Sequence, residues 1–451
     1  MEALISPKYR FFLLVTSFPF FVVWLILIFS IIYSNFLYVK ISNISYEDLI
    51  KYKLLDDNVS GPRIIARDDV RLNLLLADSY AERWNYSVEK NSGIKNSSEK
   101  DSLKAIEFYK KAILSNPLSG ESHLKLGIMY ANLKMNREAF SELKKAALLD
   151  PKNAYQQFDV GRYFFKIKNY KDGSRILKEA NTLSPQFLPE SLNLVWDLTR
   201  DYQTLTNVTP EQQHAFLTLG NFLLKKEMWD EAIVVYKKAI LLNPKNTIPY
   251  QSLSFAYEGK GMFDEALQVM LSGLKEIPEN SDIYFYLGGI YLKKNELEDG
   301  IVNIRKAIKL CSNKFNSKSL IEYHLALSEI YFNRMKYYEK SLEEADSVLK
   351  INSTESRAYF LKGLCYKSMN SNPDKMIDCF KKAVIYSPHD LKYRFTLAEN
   401  YYLYGLYKEA LAEWEEIGKL SPREELVEKK IREINEAMKK DRISIVIDNT
   451  K

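Results

Sequence analysis

A residue pattern that returns about every 34 positions constrains this chain more than its composition does. Gly127, Tyr130, Ala139, Ala146 and Pro151 are followed in the same slots by Gly161, Phe164, Gly173, Ala180 and Pro185. Gly220, Leu223, Ala232, Ala239 and Pro244 come next, then Ser254, Tyr257, Ala266, Gly273 and Pro278. Weaker copies run through Gly288, Tyr291, Gly300 and Ala307, through Ser328 and Tyr331, through Gly363, Tyr366 and Ala383, and through Ala398, Tyr401, Ala410 and Pro422. A repeat of this length holds one supersecondary unit that cannot bury its apolar side alone, so stability requires stacking several.

Within one copy, Leu124, Leu126, Ile128 and Tyr130 fall on one helix, and Phe140, Leu143, Ala147 and Leu148 on a second. Gly127, Ala139, Gly161, Gly220, Ala232, Ala266, Gly288, Gly363 and Ala410 are small where paired helices approach, so they read as packing residues. The closing proline lacks an amide hydrogen and ends the second helix. This pattern resembles the tetratricopeptide repeat, and the resemblance covers residues 69–423. It implies an all-α, right-handed α-solenoid of about nine hairpins. Three stretches break the spacing. Residues 86–100 are polar and read as a loop inside the first hairpin. Residues 188–211 read as an extra helix carrying Trp196 followed by a linker, and residues 311–319 as a short polar insertion. Residues 424–440 read as an amphipathic capping helix. In the tail, 441–451, the segment 442–448 alternates like a strand, which leaves either disorder or strand addition to another protein.

A second signal is a single segment. Residues 11–33 are uncharged and apolar or weakly polar throughout, and about 20 such residues span a bilayer core as a helix. Pro19 is tolerated in such a helix. The apolar run exceeds the core of a cleaved signal peptide, and no small-residue cleavage site follows it. The first cysteine is Cys311, so no thiol lies near the amino terminus for lipidation. Lys8 and Arg10 lie directly before the span, whereas Lys40, Lys51 and Lys53 follow at greater distance. The positive-inside rule then favours residues 1–10 as a short cytoplasmic head. A single-pass protein of the inner (cytoplasmic) membrane follows, with residues 34–68 as a juxtamembrane linker and the solenoid in the periplasm.

The 451 residues carry 64 Lys and Arg against 58 Asp and Glu, a formal net charge of +6. The two signs are interspersed, which excludes a nucleic-acid stripe. Cys311, Cys365 and Cys379 form no disulfide framework, and the free thiols read as small buried hydrophobes. His123, His214, His324 and His389 are scattered over separate copies, with His123 and His324 in the aromatic slot held elsewhere by Tyr250 and Tyr284. Metal ligation needs convergent donors. With no phosphate-cradling glycine loop, HExxH or GxSxG, the chain reads as a non-enzyme with no cofactor, metal or small-molecule substrate. Asn43, Asn58, Asn85, Asn96, Asn207 and Asn352 begin sequons, several of which chance supplies in such a chain.

In tetratricopeptide proteins the concave face, lined by first helices, binds other proteins. The resemblance places Leu124, Ile128, Phe158, Leu217, Phe285, Leu325, Phe360 and Phe395 toward that groove. They either form an apolar track for a partner segment or pack between neighbouring hairpins. The lysine and asparagine of the chaperone-tail clamp are replaced by leucine, phenylalanine and glutamine. Anchor and solenoid together resemble periplasmic tetratricopeptide scaffolds such as spirochaete flagellar-motor collar subunits. The partners expected are proteins of a membrane-associated assembly, with self-association left open. An accessory scaffold for envelope polysaccharide or outer-membrane biogenesis, and a cytosol-facing receptor or co-chaperone, stand as alternatives.

Overall fold

The computed structural model describes residues 70–89, 95–312, 317–421 and 425–448. The expected span at 11–33, its head and its linker lie outside the described residues. No described helix is long and apolar enough to cross a membrane. Two compact units divide the chain between Ala239 and Ile240. Among the described residues there are helices and turns but no strands.

The first unit contains successive antiparallel hairpins: α1 (Val70–Glu89) with α2 (Lys95–Ser115), α3 (Gly120–Asn132) with α4 (Asn136–Leu149), and α5 (Ala154–Lys166) with α6 (Tyr170–Leu183). Next come α7 (Leu188–Thr199) with α8 (Tyr202–Val208), then α9 (Gln213–Lys225) and α10 (Trp229–Leu242), which runs across the division. The second unit contains α11 (Thr247–Gly259) with α12 (Phe263–Glu276), α13 (Ser281–Lys293) with α14 (Leu297–Ser312), and α15 (Ser317–Ile330) with α16 (Tyr338–Ile351). It ends with α17 (Ser356–Ser368) and α18 (Pro373–Tyr386), α19 (Leu391–Leu403) and α20 (Tyr407–Leu420), and the terminal α21 (Glu425–Asp448).

The repeat slots acquire a physical meaning at the helix interface. A Cβ on Gly127 would lie 2.8 Å from Leu143, one on Gly161 2.7 Å from Leu177, and one on Gly288 2.6 Å from Ile304. Gly220 faces Tyr236 and Gly363 faces Phe380 in the same way, at 2.4 and 2.5 Å. In these five hairpins the glycine of the first helix therefore sits under a large side chain of the second. Ala139, Ala232, Ala266 and Ala410 are completely buried on the partner helices.

The aromatic slot has a backbone role as well. The Tyr130 carbonyl accepts from the Met135 N–H while Ala131 accepts from Lys134, which is left-handed at φ 62°. This is the double bond of a Schellman turn. Phe164, Leu223, Tyr257, Tyr291, Tyr366 and Tyr401 accept the corresponding bond from Asn169, Met228, Met262, Glu296, Ser371 and Leu406. The left-handed residue is glycine only at Gly261 and Gly405; elsewhere it is Lys168, Glu227, Asn295 or Asn370. Beyond the repeat prolines, Asn153, Asn246, Asn280 and Asp390 cap the next helix through their side chains.

Readings of two of the breaks and of the tail are corrected. The polar stretch at 86–100 is helical where described, ending α1 and beginning α2. The two helices are joined by the Arg83–Asp101 ion pair and by Tyr80 stacked 5.8 Å from Phe108. Residues 188–211 are a shortened hairpin rather than a helix and linker. Trp196 lies on α7, which packs between α5 and α9, and α8 packs on α6. The Asn181 amide donates to the Val208 carbonyl at 2.8 Å and its oxygen accepts from the Ser191 hydroxyl at 2.9 Å, fixing α8 in place. Nine full-length hairpins and this short one are thus present among the described residues. The strand-like 442–448 segment continues α21. No glycine or proline interrupts 425–448, and extending an existing helix needs no new nucleus; Val427 and Ile434 are buried where this helix meets α20. The stretch at 311–319 is described only at its ends, where α14 runs to Ser312 and α15 begins at Ser317.

Adjacent glycines provide the test of this packing. A Cβ on Gly289 would meet no heavy atom within 4 Å, whereas one on Gly288 would press on Ile304 and the Gly300 carbonyl. Gly288→Ala should destabilise the protein by about 1–3 kcal/mol. Gly289→Ala should stabilise it by roughly 0.5–1 kcal/mol, because alanine is the better helix former. Urea denaturation of the two variants measures both signs.

Candidate functional site

None of the eight apolar groove candidates is exposed. Leu124, Phe158, Leu325 and Phe360 are buried, while Ile128, Leu217, Phe285 and Phe395 are half-buried. Phe158 stacks on Phe187 at 4.7 Å, Phe285 on Tyr323 at 4.5 Å, and Phe395 meets Trp414 edge-on at 5.2 Å. Phe360 lies 4.5 Å from Tyr393 and 5.6 Å from Phe380. Leu325 packs among Ala345, Val348, Ala358 and Leu361. The four phenylalanines and Leu325 thus pack against neighbouring helices, while Ile128 lines an open cavity. Phe255, further along the same kind of helix, is the member that opens to solvent, at 57% exposure.

The first-helix surface left for a ligand is mostly polar. In the first unit, α1, α2 and α3 border an open cavity of about 220 Å³, lined by Asp78, Glu82, Asn85, Tyr109, Lys125 and Asn132 together with the apolar Ala81, Ile128 and Met129. Asp78 accepts from Lys125 at 2.7 Å and from the Tyr109 hydroxyl at 2.8 Å. Burial disfavours the Lys125 ammonium, yet the charges and hydrogen bonds of Asp78 and Glu121 outweigh it and raise its pKa. Burial is also the first cause of the upward shift of Tyr109, followed by the Asp78 charge. These groups are committed to one another, which makes this end a rigid polar brace.

A second concavity, of about 300 Å³, lies between α7 and α9. Pro189 and Leu192 form one wall, and Asn193, Thr218, Asn221, Phe222, Lys225 and Lys226 supply the rest. The Asn221 oxygen accepts from the buried Tyr236 hydroxyl at 2.7 Å, leaving its amide hydrogens for a ligand. The Asn193 amide donates to the Pro189 carbonyl at 3.0 Å, leaving its oxygen as an acceptor. Trp196 meets Phe222 edge-on at 6.4 Å, and Lys226 lies 5.5 Å from the centre of the Phe222 ring. An aromatic floor, one amide donor, one amide acceptor and two lysines suit the main chain and acidic side chains of a peptide. The 34-residue pattern gave no sign of this site, because α7 falls in the stretch that breaks the spacing.

The titratable candidates are occupied elsewhere. His123 is buried with Nδ1 2.5 Å from Glu142 and Nε2 3.1 Å from the Pro117 carbonyl. His324 makes the equivalent bond to Glu344 at 2.6 Å. His214 and His389 are exposed. Burial resists ionisation of Glu142, but Lys145 and His123 together hold its carboxyl below the usual range. The three cysteines are free and buried. Burial pushes the Cys379 thiol up to about 11 and raises Cys365, whose Sγ donates to the Ser341 hydroxyl at 3.3 Å. A protonated, enclosed thiol is a poor nucleophile.

Residues 213–246 match the family model of the tetratricopeptide repeat. A TPR repeat-containing protein of Methanocaldococcus jannaschii is 30% identical over 41% of this chain and 31% of its own length. The STIP1 homolog of Dictyostelium discoideum is 25% identical over 38% of this chain and 29% of its own. The chain therefore spans less than a third of either relative. Among solved structures, the Cut9–Hcn1 hetero-tetramer of the APC/C aligns at 14% identity and a TM-score of 0.36, covering 86% of this chain and 95% of that one.

The packing role of the ladder gives a direct expectation. Phe360→Ala should lower stability by about 3–5 kcal/mol, because an aromatic ring is removed from a closed cluster. Chemical denaturation monitored by far-ultraviolet circular dichroism reads the loss.

Proposed function

We propose that this tetratricopeptide-repeat protein is a non-catalytic scaffold, which gathers other proteins into an envelope assembly and is tethered to the inner membrane by residues 11–33. The observation that carries the binding role is the α7–α9 concavity, where Asn193 and Asn221 offer unused amide groups beside Phe222 and two exposed lysines. Its polar rim around an aromatic floor has the chemistry of a peptide-docking site. The described histidines and cysteines, by contrast, are exposed singly or locked into the core. The membrane assignment rests on the uncharged apolar run and the basic residues before it. The periplasmic flagellar collar is the particular assembly whose architecture this combination resembles.

Affinity purification of the full chain from gently solubilised membranes tests the reading. Wild-type protein should retain a defined set of envelope proteins, and Lys225→Glu combined with Lys226→Glu should reduce their recovery at least about tenfold without shifting the melting midpoint, as expected for lost charge-assisted contacts. Undiminished recovery would remove this concavity from the binding surface. Recovery of polysaccharide enzymes without flagellar proteins would exclude the collar. A carboxyl-terminal phosphatase fusion that is inactive would place the repeats in the cytosol instead.

A further inference from the structure

The second helices carry a separate site in the first unit, between α6 and α8. A cavity of about 430 Å³ opens there, lined by Lys171, Ser174, Arg175 and Lys178 of α6, with Tyr170 at its end, and by Thr204 and Asn207 of α8. The spacing of the four α6 residues puts three cationic side chains and one hydroxyl on a single helical face. Their acidic neighbours neutralise them only in part. Arg175 pairs with Glu179 at 2.8 Å within the helix, and Lys178 reaches Glu211 at 3.6 Å, where Glu211 is almost wholly in solvent. Lys171 has no ion pair among the described residues. A third carboxylate, Asp201, lies at the Thr204 end of the notch, where it is held by its helix cap.

Ser174 marks the cavity as a built site. It is only 6% exposed, lines the cavity, and its hydroxyl has no hydrogen-bond partner among the described residues. A helical serine ordinarily turns to solvent or bonds the carbonyl one turn back. Ser174 lacks that carbonyl bond, and its hydroxyl opens into the notch, where it is left for a ligand. Beside it, the Asn207 oxygen accepts from Gln203 at 3.4 Å, so the Asn207 amide hydrogens also remain unused. The Thr204 hydroxyl is spent on the Asp201 cap.

We propose that this notch receives an aspartate or glutamate side chain of an acidic peptide segment on a partner protein, with the carboxylate accepting from Ser174, Asn207 and Lys171. With three carboxylates already around its three cations, the notch suits one carboxylate better than a doubly charged phosphate. The site lies on second helices, so it is separate from the concavity between α7 and α9, and both can be occupied in one complex.

Fluorescence anisotropy with a labelled hexaglutamate peptide and the full chain in detergent tests the assignment. Saturable binding is expected, weakened at least about tenfold by Lys171→Glu and several-fold by Ser174→Ala, in keeping with hydrogen bonds to a charged group. Lys152→Glu, an exposed position elsewhere in the unit, should leave binding unchanged. Ser174→Ala should melt at the same temperature as wild type or higher, because it removes a hydroxyl without a partner. Unsaturable binding, or equal weakening by the Lys152 variant, would overturn the site as nonspecific attraction. Tighter competition by inorganic phosphate than by the peptide would overturn the carboxylate. Competition by free glutamate at the peptide's own concentration would overturn the peptide source. Because Lys225 and Lys226 are untouched, failure here is distinguishable from failure of the scaffold reading.

Discussion

The close approach of two antiparallel helices over a small residue, glycine in five of the hairpins, is the contact on which the repeat packing depends. Where Gly127 meets Leu143 or Gly220 meets Tyr236, the missing Cβ lets a large side chain of the second helix lie against the first helix. That contact sets the separation within a hairpin, and hence how the next hairpin seats on it. The Schellman turn supports the same geometry from the backbone, since one left-handed residue per turn returns the chain at a fixed angle. Each side of this arrangement would be unstable alone: the turn is strained wherever lysine or glutamate adopts positive φ, and the glycine weakens its helix. Burial of the facing residues, Leu143 and Tyr236 among them, offsets both.

Binding capacity follows from what this packing leaves over. Much of the apolar ladder on the first helices is consumed between neighbours, so Leu325 and Phe360 stabilise the stack. The surface that remains mixes amide, hydroxyl and lysine with isolated apolar side chains such as Phe255. Both sites with unused donors adjoin the shortened hairpin, in which α7 and α8 meet full-length neighbours on either side. A perfect repeat fills its inter-helix space with the same residues each time. An irregular one leaves gaps with their own chemistry, and here those gaps are the sites.

The sequence was legible where a period could be averaged over many copies. Glycine, aromatic, alanine and proline slots recur often enough that one poor copy does not obscure the pattern. Single-copy features were not legible in this way. Polar residues at 86–100 look like a loop until Arg83 and Tyr80 are seen to meet Asp101 and Phe108 across two long helices. The segment 442–448 alternates like a strand, but it follows an unbroken helix that it simply extends. Orientation on the first helices was the hardest property to read: the position after the aromatic slot is set by crossing angle and neighbour, and a shift of one residue exchanges groove for core.

The sequence by itself determined an all-helical chain of stacked pairs, because a periodic placement of small, aromatic and proline residues permits little else. It also determined where most second helices stop, since proline cannot continue one; α14 and α16 end without one. Only the tertiary structure decided that residues 188–211 are a working hairpin, that the phenylalanine ladder faces inward, and that Ser174 and Asn221 keep free valences. Those outcomes depend on which side chains fill the space between two particular helices, and that space does not exist until both are in place.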